Sequence, residues 1–289
     1  MLSYTGTIDL YKDLSENSVT ANVTRGNTMI NEGIRQVIGK LPFNFLEATT
    51  TASTVASQQF YNNPYNMAQL TNVTVLVGTT LYTPKEAPNK GFWDRLNQSS
   101  TPESDIPEWF FTFNGQTGFY PTPSGTSGTI RWNYRKRVKN ISIADYTTGT
   151  LTNTNGSTVI TGSGTTFTAA MVGRWIKLGD LQWYEIDTFT STTVIGLKKN
   201  FEGTTAGSIS FTLGEISDIP EDYQILPLYY ALSVYWGGIG KDNNKATLYK
   251  NLYDEGIKDM TARVGMGTDN VRIDEGEQII KNPNLFVTQ

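Results

Sequence analysis

The residues whose type and spacing could do chemistry are basic. In GTIRWNYRKRVKNIS (128–142), Arg131, Arg135, Arg137 and Lys139 alternate with Ile130, Trp132, Tyr134 and Val138. Asn133 lies between the basic positions and Lys136 sits beside them. Successive side chains on a strand point to opposite faces, so this spacing predicts one apolar and one basic face. A basic face can hold phosphates without regard to base sequence and in a salt-sensitive way. It can equally meet an acidic neighbouring subunit, or simply face solvent. Other chemistry is excluded by composition. The chain has no histidine and no cysteine, which removes thiol nucleophiles, disulfides, Ser-His-Asp triads, histidine acid–base catalysis and zinc sites of the usual kind.

The remaining candidates are weaker. Asp254, Glu255 and Asp259 have no metal-ligand spacing, and Asp269, Asp274, Glu275 and Glu277 lack the calcium-loop pattern. GSGTT (162–166) lacks the Lys-Ser/Thr and the following helix of a phosphate loop and reads as a β turn. The aromatics Trp175, Trp183, Tyr184 and Phe189 are either a sugar-binding surface or the core of a small β domain. Tyr229, Tyr230, Tyr235 and Trp236, with Tyr249 and Tyr253 further on, read as core and subunit-interface residues, since Tyr and Trp combine an apolar body with a polar tip. No residue set implies a cofactor, and no catalytic arrangement is evident; the chain is read as non-enzymatic.

These residues need elements to hold them. The 289 residues suffice for one large domain or two small ones. A net charge of −4 argues against a dedicated nucleic-acid binder. No apolar run approaches the roughly 20 residues of a membrane span, and MLSYTGTIDLYKD is not a signal peptide, so no membrane partner is expected. Residues 218–264 read as two antiparallel helices. The first opens near Asp218 and Pro220, is apolar almost all round and stops at Gly237, Gly238 and Gly240. The second is capped by Asp242 and carries a stripe of Leu248, Tyr249, Leu252, Tyr253, Ile257, Met260 and Val264.

Upstream, residues 5–15 predict a short helix with Ile8, Leu10 and Leu14 inward. Residues 22–40 predict a second, with Val23, Ile30, Ile34, Val37 and Ile38 on one face, weakened by Gly26 and Gly33 and ended by Gly39 and Leu41-Pro42. Strands are expected at 43–47, 57–61 and 72–77, the last turning at Gly78 into 80–83. A helix is expected at 89–98 and a hairpin at 108–121 around Asn114-Gly115. From 146 to 214 short β segments alternate with Gly, Asn and Ser turns, the pattern of an inserted β sandwich or barrel. The expected fold class is therefore α+β. It has a helical core made of the C-terminal hairpin and the N-terminal helices, β-hairpins, and an inserted all-β domain. The expected division is 1–145 with 215–264 as a discontinuous core, 146–214 as the insertion, and 265–289 as an extended arm dotted with Val271, Ile273, Ile279, Ile280, Leu285, Phe286 and Val287.

Several stretches taken in order carry a resemblance. They are the 22–40 helix followed by LPFNFLE, SQQFYNNPYNMAQLTNVTVLVG, PKEAPNKGFWDRLNQ, GFYPTPSGTSGTIRWNYRKR and IPEDYQILPLYYALSVYWGG with its partner helix. Together, over 1–142 and 215–265, they resemble the head-to-tail adaptor (neck or connector) proteins of tailed bacteriophages, including the tail tubular protein A group. The 146–214 insertion departs from the shorter adaptors and resembles a β module of other phage structural proteins (VITGSGTTFTAAMVGRWIKLGD). The resemblance implies a virion protein, made in the host cytoplasm, that forms a ring of usually twelve copies at the neck. Its implied partners are itself, the portal protein, a downstream tail or nozzle protein, and double-stranded DNA passing without sequence recognition. The helical hairpins would build the ring wall and 265–289 would dock on the portal. The alternatives are a carbohydrate-binding module using 146–214, or another tail or baseplate structural protein.

Overall fold

The computed structural model describes residues 1–40, 43–98 and 102–264. They fall into two compact units, Met1–Leu46 with Arg137 onward, and Glu47–Lys136. In chain order the elements begin with helices α1 (Tyr4–Ser15) and α2 (Thr20–Ile38), then strands β1 (Glu47–Ser53), β2 (Phe60–Asn62), β3 (Met67–Val77), β4 (Thr80–Tyr82) and β5 (Lys85–Glu86). Helix α3 (Lys90–Leu96) leads into β6 (Trp109–Phe113), β7 (Gln116–Tyr120) and β8 (Gly128–Lys136). Then come β9 (Thr150–Asn153), β10 (Val159–Ser163), β11 (Trp175–Lys177), β12 (Trp183–Ser191), β13 (Val194–Leu197), β14 (Ala206–Ile209), β15 (Thr212–Gly214), and helices α4 (Leu226–Gly238) and α5 (Asn243–Arg263).

In the first unit, α1, α2, α4 and α5 share one core of Ile8, Tyr11, Ile30, Ile34, Val37, Leu228, Leu232, Tyr235, Tyr253 and Met260. Local signals fix the helix starts. The Ser3 hydroxyl accepts from the Gly6 N–H (3.2 Å), and the Asp242 carboxylate accepts from the Asn244 and Lys245 N–H groups (3.0 and 3.1 Å), each satisfying donors that a helix start leaves open. The first helix of the C-terminal hairpin starts later than Asp218. A 3-10 turn covers Glu221–Tyr223, and α4 begins at Leu226 with Pro227 in its first turn, where a missing N–H costs nothing. Leu248, expected in the α5 stripe, is 54% exposed, because the buried stripe runs through Tyr253 and Met260.

The two glycines of α2 have a packing role. A Cβ on Gly33 would sit 2.7 Å from the Pro227 carbonyl oxygen, and one on Gly26 would strike the Tyr11 ring. Bare backbone therefore lets α4 and α1 lie tight against α2. Gly256 does the same for α5, facing the Leu226 side chain.

Residues 146–214 lie within this unit as a seven-stranded sheet ordered β14-β9-β10-β13-β12-β11-β15. Laid flat, seven strands would span roughly 29 Å. Yet the two outermost strands, β14 and β15, are separated in sequence only by Ser210 and Phe211, a link that reaches roughly 10 Å. The sheet must therefore curl until its edges approach. Its interior is filled by Leu151, Ile160, Phe167, Ile176, Ile186, Ile195, Leu197, Phe201, Phe211 and Leu213.

The second unit holds two four-stranded sheets, β1-β8-β3-β4 and β2-β7-β6-β5. Val73, Val75, Ile130, Trp132 and Tyr134 from the first sheet pack with Tyr61, Phe110 and Phe119 from the second. Trp132 is 2% exposed, and its indole N–H donates to the Thr117 hydroxyl at 3.1 Å, so the buried polar atom is satisfied across the layers. Helix α3, capped by the Asn89 side chain on the Phe92 N–H (2.9 Å), places Trp93 against Phe111 and Phe60. The strand expected at 43–47 is instead a 3-10 turn over Asn44–Leu46, with β1 starting at Glu47.

Candidate interaction surfaces

The five basic residues do not form one strand face. Strand β8 ends at Lys136, so the alternation that links Arg131 to Lys139 in sequence stops inside the pattern. Arg131 and Arg135 do share the outward face of β8. Arg131 lies opposite Thr51 of β1 and Thr74 of β3, and Arg135 opposite Glu47 and Gln69. The Arg135 guanidinium donates to the Gln69 side-chain oxygen at 3.4 Å. Between them, Asn133 accepts from the Thr49 hydroxyl (2.7 Å) and donates to Asn72 (2.5 Å). This face is a polar, cross-linked sheet surface with two arginines. It borders a groove of about 370 Å³ lined by Glu47, Thr49, Thr71 and Asn72. Lys136, next along the strand, has the opposite parity.

Arg137 and Lys139 lie beyond the strand, in the first unit, and Lys139 is used structurally. Its ammonium is 3.1 Å from the carboxylate of Glu215, which is only 3% exposed. The second oxygen of Glu215 accepts from the Ser142 and Ile143 N–H groups at 2.7 and 2.9 Å. Burial alone would raise the carboxyl pKa. The two backbone donors and Lys139 outweigh it and hold the group below its ordinary range.

The same segment is fastened elsewhere. Asn31 of α2 donates to the Ile141 carbonyl and accepts from the Ile141 N–H, both at 2.9 Å. The Asp145 N–H donates to the Thr5 hydroxyl (2.9 Å), while the Asp145 carboxylate accepts from Ser3 (2.6 Å). Sequence reasoning missed Asn31 and Glu215. The signal available was a polar residue on an otherwise apolar helix face, and an acid placed directly after the last β segment.

The hairpin aromatics close the two helices on each other. Tyr229 meets Tyr249 (6.1 Å between centroids), Tyr230 meets Tyr253 (5.6 Å), and Tyr235 meets both Tyr11 (5.9 Å) and Trp236 (5.2 Å). Tyr235, Trp236 and Tyr253 are buried, whereas Tyr229, Tyr230 and Tyr249 are half-buried. Lys245 lies 4.1 Å over the Trp236 ring and pairs with Glu16 at 2.7 Å. Burial pushes the phenol pKa of Tyr11 and Tyr253 up to about 12. The large apolar side chains left exposed on this hairpin are Val234 and Leu248.

Two of the α5 acids are engaged in ion pairs and hydrogen bonds: Asp254 with Lys250 at 2.8 Å, and Asp259 with Arg263 at 2.7 Å and the Tyr223 hydroxyl at 2.9 Å. Among the described residues no cluster of three or more acids could hold a metal, and no helix is long and apolar enough to cross a membrane. Of the aromatic quartet in 146–214, Tyr184 is core, its ring tilted against Phe201 with centroids 5.7 Å apart. Trp175 and Trp183 are half-buried and Phe189 is exposed, at the far end of β12 from Trp183. The arm residues Val271, Ile273, Ile279, Ile280, Leu285, Phe286 and Val287 lie outside the described residues, as do Leu41-Pro42.

Residues 6–159, just over half of the chain, match the SU10 adaptor protein family. The chain belongs to that family. It is accordingly a phage structural adaptor, and a virion protein whose business is with other phage structural proteins. The match takes in α1, α2 and the whole β1–β8 unit, and ends as β10 begins. Most of the curled sheet and the α4–α5 hairpin lie beyond it. No curated protein matches the chain.

Proposed function

We propose that this SU10-family adaptor forms a ring, of twelve copies in the reading favoured by its resemblance to tail tubular protein A, that joins the capsid portal to the tail. The observation that carries the reading is the family match over 6–159. Mechanistically, an adaptor of this kind works by burying surface against its neighbours and sealing a channel for DNA. Helices α4 and α5 are the proposed ring wall, and Val234 and Leu248 are the apolar side chains they have left to offer a neighbouring copy. Residues 265–289 are the proposed contact with the portal, and a downstream tail or nozzle protein is the proposed partner on the other side. Passing duplex DNA would meet scattered basic side chains such as Arg131 and Arg135 and would not be bound in a base-specific way.

The test is the solution mass of the purified chain, alone and mixed with its cognate portal, together with particle images of the mixture. A low-order species that joins the portal as a ring supports the proposal. A chain that ignores the portal refutes it. Removal of 265–289 should abolish capture by the portal, and unchanged binding would discard the arm's assignment.

A further inference from the structure

The curled sheet carries a surface cleft that the adaptor role does not use, floored in part by the core residue Tyr184. On β11 and β12, Trp175 stands opposite Glu185, and Lys177 opposite Trp183. Facing residues on paired strands point the same way, so both indoles project from the outer face, on a diagonal. The inward residues at this point are Ile176 and Tyr184. Neither tryptophan belongs to the apolar cluster that fills the sheet, which is complete without them. Both are nevertheless half-buried, as walls of a cleft of about 300 Å³. That volume is at the small end of ligand sites, and aromatic walls with a few convergent polar groups are what such sites present.

The polar groups narrow the occupant. Lys198 pairs with Glu185 at 2.7 Å across β12 and β13. Lys199 and Glu202 add one charge of each sign, and the N-terminal ammonium of Met1, which also lines the cleft, is paired with Glu221, so the lining is close to neutral. Gln182 and Asn200, both exposed, supply donors and acceptors together. A neutral lining gives no purchase on a phosphate backbone. Strands β11 and β12 are each paired on both sides, so the cleft has no free edge to which an extended peptide could add. What remains is a ligand read by side chains alone, with apolar ring faces to lie on indoles and hydroxyls that both donate and accept. The geometry points to a binding site for an uncharged saccharide, such as the neutral units of a surface polysaccharide, held between Trp175 and Trp183. This inference does not depend on the ring proposal, and its failure would leave that proposal standing.

The test presents the intact chain to an array of neutral and acidic glycans, with Trp175→Ala and Trp183→Ala in parallel. Retention should be confined to neutral glycans and should weaken roughly tenfold or more in either variant, as expected when an aromatic anchor is truncated. Gln182→Ala and Asn200→Ala, at exposed positions, carry the same test should a tryptophan variant fail to fold. The inference is overturned by silence across the neutral glycans, by retention of acidic glycans only, or by folded variants that bind as the unaltered chain does.

Discussion

Replacing Gly33 by alanine tests the helical unit at its tightest point. A helix-interior Gly→Ala change taken alone gains about 1 kcal/mol. Here the new Cβ would lie 2.7 Å from the Pro227 carbonyl oxygen and 2.9 Å from its Cα. Both are backbone atoms, so no side chain can rotate out of the way and α2 must move off α4. Overpacking of this kind costs about 1–3 kcal/mol, and a backbone clash belongs at the upper end. The net expectation is a loss of about 1–2 kcal/mol, which for a unit of this size lowers the melting temperature by about 2–4 °C per kcal/mol. Gly238→Ala is the control, because it ends α4 with nothing within 4 Å of the new Cβ. It should gain no more than about 1 kcal/mol and lose nothing. Urea and thermal melts followed by far-ultraviolet circular dichroism report on the helices directly. If Gly33→Ala proves as stable as the unaltered chain, or gains as Gly238→Ala does, the close approach of α2 to α4 is wrong and so is the packing role assigned to the glycine.

Asn31→Ala should destabilise the helical unit by roughly 2–3 kcal/mol in urea melts, because both the N–H and the C=O of Ile141 lose their partner. Glu215→Gln should cost about 1–3 kcal/mol at neutral pH, since a neutral amide cannot accept from two backbone donors and Lys139 as the carboxylate does. The sign of its pH dependence follows from the lowered folded pKa. Glu215 contributes stability above the pKa it has in the unfolded chain, and that contribution is lost as pH falls through the lower folded value. The difference in melting temperature between the unaltered chain and Glu215→Gln should therefore shrink on acidification, and a difference that is constant down to acid pH would contradict the assignment. At the alkaline end, Tyr11 and Tyr253 titrate near 12 when folded against about 10 when unfolded. The folded state then keeps protons that the unfolded chain releases, so stability should fall as pH rises from 10 to 12. In Tyr253→Phe that fall should be smaller, as read by thermal melts across the range.

Elements announced by local chemistry were legible in the sequence. Asn89 and Asp242 cap α3 and α5 with their own side chains, and Asn114-Gly115 turns β6 into β7; each signal lies within a few residues of what it specifies. Features decided by distant partners were not. Gly26 and Gly33 read as flaws in α2, because propensity counts their cost and cannot see Tyr11 or Pro227 pressed against them. Asn31 goes unnoticed in the sequence, since its partner Ile141 is 110 residues on. The 43–47 stretch has strand-like composition, yet Phe43 and Leu46 are both buried, an inward spacing of three that a 3-10 turn provides and an alternating strand does not.

The basic stripe failed for a related reason that bears on function. Alternation identifies a face only while the residues remain in one strand. The odd-numbered polar series in 131–139 continues as letters, although Lys136 already interrupts the apolar series, but β8 stops at Lys136, which is also where one compact unit gives way to the other. Arg131 and Arg135 are held by pairing with β1 and β3, whereas Lys139 is drawn to a buried carboxylate that sequence proximity could not reveal. A charge pattern that crosses such a junction is two patterns. Neutralising Arg131 and Arg135 should therefore change surface properties and leave stability nearly untouched, while neutralising Lys139 should weaken the fold around Glu215. Measuring the melting temperatures of Arg131→Gln/Arg135→Gln and Lys139→Met side by side decides the point. Equal effects would restore the single basic face, and a loss confined to Lys139→Met would establish that the stripe's two ends serve different purposes.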